Sequence, residues 1–166
     1  MNEHIELLVE VKSKTYLNAV KIILWIITGL GVLLALTGIF TIFPLIFAIV
    51  TGGAAYFIGI RAEREYEYSL TEKEIDIDVI YSKQNRKHIT TLDLTKLEIM
   101  APMDSSRLDG YKHRECKNED YSSGDVANKK NMYVMYYEGS RRIVLEPDER
   151  LYKTIHNIAP HKVYNS

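Results

Sequence analysis

The chain has 166 residues and nearly balanced charge, with 21 Lys and Arg residues against 22 Asp and Glu residues. This length allows one ordinary domain, or a small domain joined to an anchor. The net charge of −1 gives no overall basic field, so we expect no nucleic-acid partner. The single cysteine, Cys116, excludes an intramolecular disulfide.

A run of 39 residues, 22–60, contains no charged side chain, whereas residues 61–166 carry 18 basic and 19 acidic residues. As one helix the run would be about 58 Å long, against a hydrocarbon core of about 30 Å, so it must fold back on itself. Gly38 tolerates unusual backbone conformations and Pro44 fits the first turn of a helix, which favours a turn between them. We predict a transmembrane helical hairpin over residues 16–62, with spans of about 17–38 and 44–60.

Basic residues flank this hairpin on both sides. Lys12, Lys14 and Lys21 precede the first span, Arg61 and Arg64 follow the second, and the connection between the spans has no basic residue. By the positive-inside rule, both termini face the cytoplasm. We therefore expect a two-span protein of the cell membrane, with the lipid bilayer as its first partner.

Small residues form one stripe along a face of each predicted span. The stripes contain Gly31, Ala35 and Gly38 in the first span, and Ala48, Gly52, Ala55 and Gly59 in the second. Such stripes allow close helix packing in lipid, either within the hairpin or between copies of the chain. The run 22–60 contains no Asp, Glu, Lys, Arg or His, which weakens any ion-path interpretation.

From residue 65 onward the apolar residues recur at every second position, which is typical of half-buried strands. Residues 82–87 are predicted to connect one hairpin, and Glu138 and Gly139 to form the turn of another. The stretch PDERLYKTIHNIAP predicts a C-terminal helix with acidic residues in its first turn. About seven short antiparallel strands followed by one helix is the order of a pleckstrin-homology-like (PH-like) barrel or sandwich.

Two segments stay open at this level. Residues 1–15 form a cytoplasmic N-terminal segment in which Ile5, Leu8 and Val9 fit an interfacial helix, whereas Ile5, Leu7 and Val9 fit a strand. The polar segment 103–130 is long for a connection in a compact domain, so it is either a mobile loop or contains a strand. Within it, residues 112–122 are the best candidate for an edge strand.

Two stretches carry a family resemblance: YEYSLTEKEIDIDVIYSKQNRKHITTLDLTKLEIMAP, and YVMYYEGSRRIVLEPDERLYKTIHNIAPHKV. They resemble a group of small bacterial membrane proteins with an N-terminal two-helix transmembrane hairpin and a cytoplasmic PH-like domain. The resemblance implies an α+β membrane protein in which residues 63–166 form the PH-like domain. It carries no catalytic residues and no established activity, so function remains an analogy.

Candidate sites are few. Arg61 and Arg64 directly follow the second span, and Lys83, Arg86 and Lys87 lie in a basic hairpin loop, so all five are candidates for contact with anionic phospholipid head groups. His113 and Cys116 have the spacing of two metal ligands, but a structural zinc site needs four, so we expect no metal. The sequence contains no nucleophile elbow, P-loop or zinc-protease motif, and we expect no cofactor.

These observations predict a membrane-anchored, non-enzymatic binding or adaptor protein that presents a PH-like domain at the cytoplasmic leaflet. Its partners would be the bilayer and either another protein or a second copy of the chain. The alternative is a small subunit of an oligomeric transport or channel assembly, in which the small-residue stripes form the interface.

Overall fold

A computed structural model describes residues 5–12, 15–37 and 42–165. The chain divides into two compact units. Residues 13–64 and 81–83 form a helical unit, and residues 1–12, 65–80 and 84–166 form a sheet unit. The strand β1 and the remaining strands of the sheet unit therefore lie on either side of the helices in the sequence.

The helical unit consists of two apolar helices, α1 (Thr15–Leu36) and α2 (Ile42–Ala62). Both are long and apolar enough to cross a membrane, over Leu17–Leu36 and Ile42–Ile60. Helix α1 ends at Leu36 and α2 begins at Ile42, and Pro44 lies in the first turn of α2, where its missing N–H costs no helical hydrogen bond. Gly38, predicted to help form the turn, lies outside the described residues.

The first sheet has the order β1-β2-β3-β4. Its strands are β1 (Ile5–Glu10), β2 (Arg64–Thr71), β3 (Glu74–Tyr81) and β4 (Asn85–Asp93). β1 pairs with β2 in antiparallel register, with Ile5 opposite Leu70 and Glu10 opposite Glu65. Residues 5–10 are thus a strand of the sheet domain rather than an interfacial helix, with Ile5 and Val9 buried and Leu8 exposed.

The second sheet has the order β5-β7-β8-β6. Its strands are β5 (Leu97–Pro102), β6 (Lys117–Asp120), β7 (Tyr133–Tyr137) and β8 (Arg141–Leu145). The polar segment 103–130 therefore contains a strand, β6, between two short 3₁₀ helices, Ser106–Tyr111 and Val126–Asn131. The expectation of uniformly antiparallel strands is wrong here, because β6 pairs with β8 in parallel. The long connections on both sides of β6 permit this direction, which a tight hairpin turn would not.

The two sheets form a sandwich and not a closed barrel, since the described strands make hydrogen-bonded ladders only within each sheet. Side chains join the sheets instead. The buried Tyr68 hydroxyl on β2 donates to the carbonyl of Tyr121 at 2.5 Å and accepts from the N–H of Glu146 at 3.4 Å. The Tyr137 hydroxyl on β7 accepts from the N–H of Asp93 at 3.1 Å.

Alternation along the strands places apolar side chains on both faces of the second sheet. One cluster lies around Val134, Tyr136 and Val144, with Leu108 of the first 3₁₀ helix and Cys116 packed against it. The intervening residues Met135 and Ile143 are also fully buried and point to the opposite face. Burial on both faces explains why β7 and the last three residues of β8 read as continuous apolar runs.

The C-terminal helix α3 covers Glu149–Ile158, and Asp148 caps it by accepting from the N–H of Leu151 at 2.7 Å. Its buried residues are Leu151 and Ile155, and Tyr152 packs on Tyr133 with ring centroids 5.1 Å apart. The chain after the helix runs beside β5. There the Met100 N–H donates to the carbonyl of Lys162 at 2.7 Å and its carbonyl accepts from Tyr164 at 2.8 Å. This tail protects an edge of the second sheet.

Candidate functional site

The predicted small-residue stripes meet along the contact between α1 and α2. A Cβ added at Gly31 would lie 3.3 Å from the Cβ of Ala48, and one added at Gly52 would lie 3.3 Å from Cγ2 of Thr28. Ala55 is fully buried in the same helix contact. Gly59 lies against the aliphatic stem of Lys21, with 3.2 Å from its added Cβ to Cε. The structure thus places these stripe residues inside the hairpin.

Ala35, from the same stripe, is half-buried, and Gly38 lies outside the described residues. A polar contact that the sequence did not reveal reinforces the hairpin. The hydroxyls of Thr28 and Thr51 lie 2.9 Å apart, and each has a carbonyl one turn earlier in its own helix within hydrogen-bond distance, so that one hydroxyl donates to the other while the second donates to its carbonyl. Because both hydroxyls are satisfied, this pair joins the helices without leaving a buried unpaired group.

The basic turn after β3 lies beside the chain that leaves α2. The Ser82 N–H donates to the carbonyl of Glu63 at 2.8 Å. Ser82 and Lys83 both have positive φ, +48° and +57°, which is the geometry of a tight hairpin turn. Lys83 and Arg64 are exposed, whereas the side chain of Arg61 lies outside the described part of the chain.

Arg86 differs from its basic neighbours because two carboxylates of the first sheet hold it. Its guanidinium lies 2.7 Å from Oε2 of Glu67 and 2.6 Å from Oδ2 of Asp78. His88 Nδ1 lies 2.8 Å from the other oxygen of Asp78. Burial raises the pKa of Asp78, but the hydrogen bonds from His88 and Arg86 outweigh it and hold that pKa below its ordinary value. The charge of Arg86 is thus balanced locally, while Lys87 remains exposed.

The same face brings a hydroxyl close to His88, in an order that superficially matches a nucleophilic triad. Oγ1 of Thr91 lies 3.4 Å from Nε2 of His88, but Thr91 donates its only hydroxyl proton to Asp76 at 2.5 Å. An activated hydroxyl would instead direct that proton to the imidazole. This arrangement is therefore a surface hydrogen-bond network and provides no basis for assigning a nucleophile.

An ionic cluster that the sequence did not predict lies at the edge of the second sheet. Arg141 on β8 donates to Oε2 of Glu119 on β6 from Nη2 at 2.5 Å and from Nε at 3.1 Å, and Nη2 also reaches Oγ1 of Thr90 on β4 at 3.2 Å. The Tyr121 hydroxyl donates to the same carboxylate oxygen at 3.1 Å, and Lys117 Nζ lies 2.8 Å from its other oxygen. This cluster ties β4, β6 and β8 together.

The environment of the cluster shifts two pKa values in opposite directions. Burial raises the pKa of Glu119, but the hydrogen bonds from Arg141 and Lys117 outweigh that effect and hold it below its ordinary value. Burial, followed by the charge of Glu119, raises the pKa of Tyr121 to about 12. With its carboxylate charged and fully bonded, the cluster is suited to holding strands together.

The His113 and Cys116 pair does not come together with further ligands in the described structure. No group of three or more His, Cys, Asp or Glu side chains there has the arrangement to hold a metal ion. His113 is exposed, while Cys116 packs half-buried against the apolar cluster of the second sheet.

Two four-stranded sheets, with a helix at the C-terminal end, define a PH-like sandwich with two apolar helices near the N-terminus, between its first and second strands. Residues 1–165 match the family described as bacterial PH-like domain (DUF6106), and the chain belongs to this family. The resemblance noted from the sequence is thereby confirmed. Comparison with curated proteins and with solved structures found no match.

Proposed function

We propose that the protein is a membrane-anchored, non-enzymatic binding or adaptor protein. In this proposal α1 and α2 cross the cell membrane as a hairpin, and the PH-like domain lies at the cytoplasmic leaflet. The proposal has three parts, the anchor, the orientation and the lipid contact, and each has its own support.

The anchor is supported by the surface of the two helices. Only 6% of the residues in the apolar window of α1 and 17% in that of α2 are buried. A core helix of a water-soluble protein would bury most of such a window. Large apolar side chains such as Ile26, Leu33 and Phe57 are instead more than half exposed along both helices. Hydrocarbon is the solvent that suits this surface, and this observation carries the proposal.

The orientation rests on charge. Lys12 and Lys21 lie before or at the start of the first span, and Arg61 and Arg64 follow the second. The uncharged connection between the helices is the part expected to face outward. Both ends of the hairpin, and with them the PH-like domain, would then face the cytoplasm.

The lipid contact is supported by exposed basic side chains that follow the second span or lie in the basic turn. Arg64, Lys83 and Lys87 are exposed, and each would contribute about 1 kcal/mol near an anionic surface. Arg61 belongs to the same group by its position in the sequence. Arg86 would contribute less than Lys87, because Glu67 and Asp78 already balance its charge.

The transport or channel alternative began from the small-residue stripes. In the structure Gly31, Ala48, Gly52 and Ala55 are used within one hairpin. The alternative therefore loses the observation that suggested it, and we do not propose it.

Asn157 is exposed on α3, so a label at this position tests the anchor and the orientation. Its replacement by cysteine would be made in a Cys116→Ser background, since Cys116 is half-buried and a poor reporter. We expect the protein to resist alkaline extraction from membranes. An impermeant maleimide should label the cysteine in inside-out vesicles and leave intact cells unlabelled. Release by alkali would refute the anchor, and labelling of intact cells would refute the orientation.

A further inference from the structure

The loop between β6 and β7 ends in an exposed apolar tip. We call residues 121–131 the tip loop; its last six residues, Val126–Asn131, form the second 3₁₀ helix. Val126 is 83% exposed, the highest value among the large apolar side chains found exposed in the described chain. A valine exposed to this extent outside the helical unit has no packing role in the domain.

The base of the tip loop is held in place by the sheet. Asp120 accepts hydrogen bonds from the N–H and the hydroxyl of Ser122, at 3.0 and 2.7 Å. Glu146, after β8, accepts from the N–H of Ser123 at 3.0 Å. Gly124 then turns the chain with a positive φ of +68°, and Asp125 caps the 3₁₀ helix by accepting from Ala127 at 3.0 Å. These bonds keep Val126 presented to its surroundings and prevent it from folding back.

The tip loop is also tied to the chain that leads into α1. The N–H of Lys12 donates to the carbonyl of Ser123 at 2.8 Å, and Lys12 Nζ lies 2.9 Å from Oδ2 of Asp125. Lys12 is three residues before Thr15, where α1 begins. Three residues of extended chain span at most about 11 Å. The tip loop is therefore bonded to a residue that lies only three positions before α1, the helix that would enter the bilayer.

The chemistry of the tip loop fits such a surface. Lys129 and Lys130 follow Val126 in the 3₁₀ helix, and all three side chains are exposed. Lys129 is 2.9 Å from Asp104 in a solvent-exposed pair, which phosphate groups of lipid can replace with little loss. An apolar side chain beside ammonium groups is the combination that enters the boundary between head groups and acyl chains.

We propose that the tip loop is a membrane-contact element, with Val126 inserted into the head-group boundary of an anionic bilayer and Lys129 and Lys130 on its phosphates. This inference rests on the proposed membrane anchor. It adds a second contact, separate in sequence from the basic turn at Lys83.

The test uses the full chain in vesicles of phosphatidylcholine and phosphatidylglycerol. Val126→Cys, in a Cys116→Ser background, would carry an environment-sensitive NBD fluorophore, and lipids with a nitroxide near the head group would quench it. The matched control is Lys73→Cys with the same fluorophore. Lys73 is exposed in the turn that follows β2, at the opposite end of that strand from Arg64 and about 25 Å away.

We expect several-fold stronger quenching at Val126 than at Lys73. Replacing Lys129 and Lys130 by glutamine should weaken the quenching at Val126 in vesicles that contain phosphatidylglycerol, and should change little in phosphatidylcholine alone. Quenching at Val126 no stronger than at Lys73 would overturn the inference. Equal quenching in the lysine variant would overturn the role of the two lysines.

Trp25 separates the failure of this inference from the failure of the anchor. It is the single tryptophan of the chain and is exposed on α1, so its own fluorescence, quenched in unlabelled protein by lipids that carry a nitroxide on the acyl chain, reports insertion of the helix. Quenching of Trp25 without quenching of the probe at position 126 would refute the membrane contact of the tip loop and would support the membrane anchor. Unquenched Trp25 would refute both.

Discussion

Arg141 and Glu119 join the only parallel pair of strands found in the described sheets, with two hydrogen bonds from one guanidinium to one carboxylate oxygen. The strand that Glu119 belongs to, β6, has the sequence KNED and contains no apolar side chain. Hydrophobic contacts near β6 come instead from its two flanking residues, Cys116 and the buried Tyr121. Within the strand, its position depends on the ladder to β8 and on this ion pair.

Replacing Arg141 by methionine should destabilise the sheet domain by about 2–3 kcal/mol, because Glu119 would be left buried without its main partner. Urea unfolding in detergent micelles would measure the loss, and faster hydrogen exchange should appear first in β6. Arg142→Met is the matched control, since Arg142 makes only a 3.4 Å bond to Asn118. Equal losses in the two variants would contradict the role assigned to Arg141.

Raising the pH should destabilise the fold through two tyrosines. Burial raises the pKa of Tyr121 to about 12 and that of Tyr68 further above its ordinary value of 10. Both groups thus contribute stability that is full below pH 10, where the unfolded chain starts to ionise, and that is lost as the pH rises toward 12 and beyond. The midpoint of thermal unfolding should fall across this range.

Tyr68→Phe should flatten that alkaline fall, at a cost of about 1 kcal/mol at neutral pH for the bond to the Tyr121 carbonyl. If the thermal midpoint of this variant falls with pH as steeply as that of the parent protein, Tyr68 ionises as easily in the folded chain as in the unfolded chain. Tyr56→Phe on α2 provides the control, because that side chain is exposed.

Lowering the pH should destabilise the fold through Asp78. Its pKa is held below the ordinary value in the folded chain, so its contribution is present above pH of about 4, the unfolded value, and is lost as the pH falls through the folded value. Asp78→Asn should cost about 1–2 kcal/mol at pH 7 and reduce the acid dependence of unfolding. Asp109 is in an exposed pair with Lys112, so Asp109→Asn should change neither the stability at pH 7 nor the acid dependence of unfolding. If Asp78→Asn loses stability at low pH as the parent protein does, Asp78 is not the source of that loss.

The hairpin offers two glycines, two positions apart on α1, with different surroundings. A Cβ at Gly31 meets Ala48 and the carbonyl of Pro44 at 3.3 and 3.4 Å, whereas one at Gly29 meets nothing within 4 Å. Leucine at position 31 should therefore separate the helices, and leucine at position 29 should not. The hydroxyls of Thr28 and Thr51 lie 2.9 Å apart, so cysteines placed at both positions should form a disulfide. We expect this disulfide when Gly29 and Gly31 are both intact and in Gly29→Leu, and we expect none in Gly31→Leu. Cross-linking that persists in Gly31→Leu would refute the close contact.

The sequence was sufficient for elements whose signal is local. The uncharged run was too long for one span, and the period of two marked β2 and β3. The turn at Glu138 and Gly139 marked the hairpin of β7 and β8, and Asp148 with its acidic neighbour marked the start of α3. The N-terminal strand was ambiguous because its apolar residues fit two periods at once. Its pairing with β2, about 60 residues later, decided the matter, and no local pattern contains that information.

The polar features of the fold were beyond sequence reasoning for a similar reason. In the sequence, Glu119 is indistinguishable from a surface glutamate. Its bond to Arg141, which also contacts Thr90, depends on residues of two other strands. Arg86 looked like a free lipid ligand until Glu67 and Asp78 were found beside it. Val126 did carry a signal, as a lone valine within a polar segment, but its meaning depends on the hydrogen bonds that attach the loop to Lys12.

The pairing of Glu10 with Glu65 also constrains the route of the chain by parity. Two residues that face each other in one ladder occupy the same aqueous compartment, whatever the chain does between them. Any membrane crossings between residues 10 and 65 must therefore be even in number, independently of where the basic residues lie. A single span between these residues is incompatible with the sheet, and two apolar helices of spanning length lie there.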